Sequence, residues 1–174
     1  LDDVLVNFDG ITYAKGASVL RQLVAWVGQE NFMAGVRAYI AQHAWGNTEL
    51  PDLMSELEAA SGRDLSEWTR LWLETSGVNT LRTEVETDEA DTITALRLRQ
   101  SAPDGSPSAP GDDVLRPHRL AVGFYDVDEA TGRLTRTERF ELDVAGEVTE
   151  VAEAAGRRRP AVILPNDDDL AYAK

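Results

Sequence analysis

The chain of 174 residues contains no cysteine, so it can build neither a disulfide nor a thiolate nucleophile, which fits a reducing compartment. Histidine is nearly as scarce. Only His43 and His118 occur, far apart in sequence, and neither belongs to a His-Glu-x-x-His helix. A zinc site of the usual His and Cys type cannot be built from this chain alone. Positive charge is also short: 17 Lys and Arg stand against 31 Asp and Glu, a net charge of −14. That balance argues against a nucleic-acid partner, which needs a basic face to displace counterions. No run reaches the ~18 to 20 apolar residues of a membrane span. The acidic start "LDDVLVNFDG" lacks the apolar core of a signal peptide. The first residue is Leu1 rather than methionine, so the chain is expected to be a piece of a longer protein.

What is present reads as an ordinary globular protein, 43% apolar and 28% charged. Residues 1–76 carry helical periodicity. Val19, Leu20, Leu23, Val24 and Val27 share one face of a helix over 15–27, and Gly28 is a natural stop. A second helix is expected over 30–43, with Phe32, Met33, Val36, Tyr39 and Ile40 on one face and His43 at its C-terminus. Thr48 can cap a third helix that ends at Ser61-Gly62, with Pro51 tolerable in its first turn. Asp64 and Glu67 have capping-box spacing before Leu65, Trp68, Leu71 and Trp72.

From residue 77 the period becomes two. "LRTEVET" alternates like a half-buried strand, and "DTITALRLRQ" shifts phase between Ile93 and Leu96, as a bulge would. "SAPDGSPSAPGDD" reads as a loop, "EATG" as a hairpin turn between two strands, and "GEVTEVAEA" and "PAVILPN" as further strands. The expected fold class is α+β in two domains: an all-α unit, residues 1–76, then an all-β immunoglobulin-like sandwich, residues 77–174.

Chemistry is thin. "DVDEATG" is a poor calcium loop, because its glycine is misplaced and the closing glutamate is absent. The run Asp167–Asp169 reads as a solvated turn, "RRR" at 157–159 as an exposed turn, and each histidine as a surface or cap residue. Ser18 in "GAS" lacks the second glycine of a nucleophile elbow. That leaves Tyr13, one residue short of the Lys15-Gly16 step and an amphipathic helix. A tyrosine there either packs or points its hydroxyl at a substrate, and chain physics does not choose.

"ITYAKGASVLRQL" resembles the Tyr-x-Lys-Gly segment of the aminopeptidase N family of zinc metallopeptidases. "VGQENFMAGVRAYIAQHAWGNTELPDLMSELEAASGRDLSEWTRLWLETSGV" resembles the helices that follow it in that family. "RPHRLAVGFYD" and "LPNDDDLAYAK" resemble the sandwich domain behind the catalytic domain in bacterial members. Ala14 stands where many members carry glutamate, and Val78-Asn79 departs from the usual residue-proline step.

The resemblance implies that residues 1–76 are the C-terminal helical part of a thermolysin-like catalytic domain. It implies a zinc-dependent aminopeptidase acting on peptides, with Tyr13 stabilising the oxyanion of the tetrahedral intermediate. Zinc would be held by ligands upstream of Leu1, so the 174 residues alone are expected to bind no zinc and to be inactive. The implied partners are peptide substrates and the rest of the same polypeptide, an upstream catalytic half and a downstream helical domain, with no nucleic acid and no membrane. The implied location is cytoplasmic. The alternative is a non-catalytic module in which helices and sandwich recognise another protein.

Overall fold

A computed structural model describes residues 10–75, 77–102 and 114–174. The proline-rich stretch read as a loop therefore lies almost wholly outside the described residues, as does nearly all of the acidic N-terminal segment. Contacts divide the chain into two compact units, Leu1–Thr75 and Ser76–Lys174.

Among its described residues the first unit has four helices: α1 (Gly10–Val27), α2 (Gln29–His43), α3 (Leu50–Ser61) and α4 (Ser66–Leu73). In α1 the buried residues Val19, Gln22, Leu23 and Val27 lie on one side. Gly28 then breaks the helix at φ 86°, a backbone angle that L side chains rarely adopt. Helices α2 and α3 approach closely at Gly35, where a Cβ would meet Glu56 O and Leu57 Cδ2 at 2.9 Å. In α4 the buried Trp68, Leu71 and Trp72 follow the expected helical period, and the two indoles stack at 5.9 Å.

Helix starts differ in detail from the sequence reading. The cap of α3 is Glu49, not Thr48, in a capping box with Asp52, whose Oδ2 accepts the Glu49 N–H at 2.8 Å. The Thr48 hydroxyl instead pairs with Tyr39 Oη. Helix α4 has no capping box. The exposed Asp64 folds back on its own loop and accepts the Ser66 N–H at 2.8 Å.

Among its described residues the second unit holds two three-stranded antiparallel sheets. One runs in the order β1 (Thr80–Thr87), β2 (Ile93–Ser101), β5 (Val148–Glu150). The other runs β4 (Leu134–Val144), β3 (His118–Val127), β6 (Val162–Asp167). Thr87 faces Ile93 and Glu86 faces Ala95, which leaves Thr94 without an opposite residue, so the bulge falls inside the expected interval. The stretch read as one strand from Gly146 pairs only over Val148–Glu150. It then tightens into a 3₁₀ turn, Ala152–Ala154, that buries Ala154.

One hydrophobic cluster draws on both sheets, with Leu81, Ile93, Leu96 and Leu98 from the first and Leu120, Val122, Phe124, Phe140 and Val144 from the second. Phe140 meets Phe124 edge-on at 5.0 Å. Each such side chain, fully buried, contributes about 1.5–3 kcal/mol of transfer free energy, so this cluster dominates the stability of the unit.

Candidate functional site

Tyr13 lies inside the first turn of α1, not before the helix, because helical backbone begins at Gly10. Its side chain is 66% exposed. Leu20, seven residues on and so on the same face, is 52% exposed, and Ala17 between them is exposed too. The helix thus buries one side and presents Tyr13, Ala17 and Leu20 on another. Ser18 faces its own helix, where its hydroxyl donates to Ala14 O at 2.9 Å, so it is not held as a nucleophile. Gly16 has an ordinary helical φ, and a Cβ there would meet nothing within 4 Å. The described residues therefore do not explain a glycine at a position where alanine would favour the helix by about 1 kcal/mol.

The helix is anchored at its far end. The Arg63 guanidinium sits 4.6 Å above the Trp26 ring, and Asn31 Nδ2 donates to Val27 O at 2.8 Å. A phenol carried on a packed helix keeps its direction better than one on a loop, and it offers one O–H donor.

The remaining candidates are structural. His43 ends α2, with its ring 5.5 Å from that of Tyr39. His118 corrects the expectation of a surface residue. It opens β3 with no exposed surface, and burial with the nearby Arg116 charge pushes its pKa down to about 4. Its place on the inward side of β3 puts it in line with Leu120, Val122 and Phe124.

Asp128 closes a hairpin turn, accepting the N–H groups of Ala130 and Thr131 at 2.9 Å, and those bonds hold its carboxyl below the usual range. Asp126 takes Arg158 and the Ala161 N–H. Arg157 pairs with Glu138. Asp168 lies between Arg136 and Arg139, which lower its pKa. Asp167 is nearly buried and accepts from Tyr125 Oη at 2.8 Å and Arg136 Nη1 at 2.9 Å. It passes over Gly123, where a Cβ would stand 2.4 Å from Asp167 Oδ2. These carboxylates hold turns and strands together. Among the described residues no three His, Asp or Glu gather into a metal-binding group, so those residues do not fit a zinc ion. None of the described helices is long and apolar enough to cross a membrane.

One feature had no sequence signal. Trp45, in the turn after α2, is wholly exposed and has φ 67°, in the left-handed region that a bulky side chain seldom enters.

Residues 2–76, which contain Tyr13 and the four described helices, match the peptidase family M1 domain. Aminopeptidase N of Streptomyces lividans is 60% identical over 174 residues, the whole of this chain and 20% of that relative. The chain belongs to peptidase family M1. Aminopeptidase N of Lactococcus lactis subsp. lactis is 39% identical over 88 residues, 50% of this chain and 10% of the relative. The crystal structure of Legionella pneumophila aminopeptidase A in complex with aspartic acid shares the fold, with a TM-score of 0.67 over 95% of this chain at 19% identity. The match covers 18% of that structure, so this M1 chain spans a fifth or less of the relatives it resembles.

Proposed function

We propose that this chain is part of a zinc-dependent aminopeptidase that removes N-terminal residues from peptides in the cytoplasm. In this reading residues 1–76 are the C-terminal helical part of the catalytic domain. Residues 77–174 form an immunoglobulin-like β-sandwich that spaces it from a later helical domain. The zinc ligands come from sequence upstream of Leu1, and the metal supplies Lewis acidity toward the scissile carbonyl. Peptide substrates and the rest of the same polypeptide are the partners.

The observation that carries the reading is Tyr13: a largely exposed phenol on the first turn of a packed helix, in a Tyr-x-Lys-Gly segment inside the M1 match. When water attacks the peptide carbonyl, negative charge develops on its oxygen. The Tyr13 O–H donates a hydrogen bond to that oxyanion. Because α1 fixes its direction, little reorganisation is needed as the charge appears.

Tyr13→Phe in the full-length protein removes the donor and keeps the ring. Turnover of an aminoacyl-anilide is expected to fall by ~10²–10³-fold with an unchanged melting temperature. Unchanged turnover would reduce Tyr13 to a packing residue. A second reading, a non-catalytic interaction module, is favoured by the exposed Trp45. A reading frame upstream of Leu1 without His-Glu-x-x-His would decide for it.

A further inference from the structure

Antiparallel pairing occupies the main-chain groups of every second residue in a strand and turns the others to the opposite edge. Along β1 the outward set begins at Asn79, just before the strand, and Leu81. Both are engaged by Lys174: the Leu81 N–H donates to Lys174 O at 2.8 Å, and the Lys174 N–H donates to Asn79 O at 2.9 Å. Two bonds from one residue that straddle Thr80 are the parallel pattern, so the chain at Lys174 runs beside β1 in the same direction. It is steered there. The Asn166 side-chain amide holds both the N–H and the C=O of Ala171, at 2.7 and 2.9 Å, and Ala171 and Ala173 pack on the hydrophobic cluster. Past Leu81 the same edge continues through Thr83 and Val85. Among the described residues β1 is the outermost strand of its sheet.

We propose that the outer edge of β1 is completed by the residues that directly follow Lys174 in the intact polypeptide, added as a parallel fourth strand. This rests on the reading that the chain belongs to a longer protein. The register is fixed by Lys174. The carbonyl of the second residue after it receives the Thr83 N–H, and that of the fourth receives the Val85 N–H. Since Ala171 and Ala173 face the cluster, alternation turns the first and third residues after Lys174 the same way, and these are apolar. Left open, such an edge would template pairing with other chains.

Hydrogen exchange resolved at single amides tests this in the full-length protein against the 174-residue chain. Thr83 and Val85 are expected to exchange at least ~10-fold more slowly in the full-length protein. Lys174→Pro, which removes the N–H held by Asn79, should return both amides toward fast exchange there. Equal rates in the two chains overturn the proposal and leave the aminopeptidase reading standing. Protection that survives Lys174→Pro means that something else covers the edge, which also overturns it. A natural polypeptide whose measured mass ends at Lys174 removes the longer protein and the added strand together.

Discussion

At the first residue of β3, a buried imidazole with its pKa lowered to about 4 makes the sheet unit acid-sensitive. Burial is the larger cause and the Arg116 charge the smaller. An unfolded histidine takes up a proton near pH 6.5. The folded one stays neutral until about pH 4, so its contribution is complete above ~6.5 and is lost as pH falls through that window. Denaturant unfolding at pH 7 and pH 5 should show a loss of about 2 kcal/mol that His118→Leu abolishes. An equal loss in the variant would place the sensitivity elsewhere. Nothing in "RPHRLAV" announced this burial, because a histidine that begins a strand takes its face from a register the sequence does not display. Tyr13 is singled out by the motifs around it rather than by its own chemistry. Gly123 was silent, since the need for a missing Cβ depends on where Asp167, 44 positions later in the chain, lays its side chain.

Helix α3 shows how an element's start is set by competition among neighbours. Thr48, the better cap by residue type, is drawn to Tyr39 on α2, and Glu49 with Asp52 takes over. Asp52→Ala removes the acceptor of the Glu49 N–H and is expected to cost about 1 kcal/mol, read as an earlier denaturation midpoint for the helical unit. Thr48→Ala should leave the cap intact, and a larger cost there than at Asp52 would reverse the assignment. The four described helices, the helix ends at Gly28 and Gly62, and the bulge in β2 were all readable, because periodicity and glycine act locally. The shortness of β5 was not. Its strand ends where Val151 turns its N–H to Leu96 O, a bond made by residues 55 positions apart.

On the scale of the whole molecule, contacts separate Leu1–Thr75 from Ser76–Lys174, and the expected boundary at residue 77 comes from the change of a period near 3.6 to a period of two. The strand order β4-β3-β6 beside β1-β2-β5 could not be read that way, since pairing between distant strands leaves no local trace. With the zinc ligands assigned upstream, the purified 174 residues should release no product from an aminoacyl-anilide in the presence of zinc. Zinc-dependent hydrolysis by this chain would overturn that assignment. The tryptophans divide just as sharply. Trp26, Trp45, Trp68 and Trp72 all lie in the helical unit and none lies in the sheets. Indole emission is therefore a private channel: light taken up by tryptophan watches the helical unit come apart while the sheets remain dark.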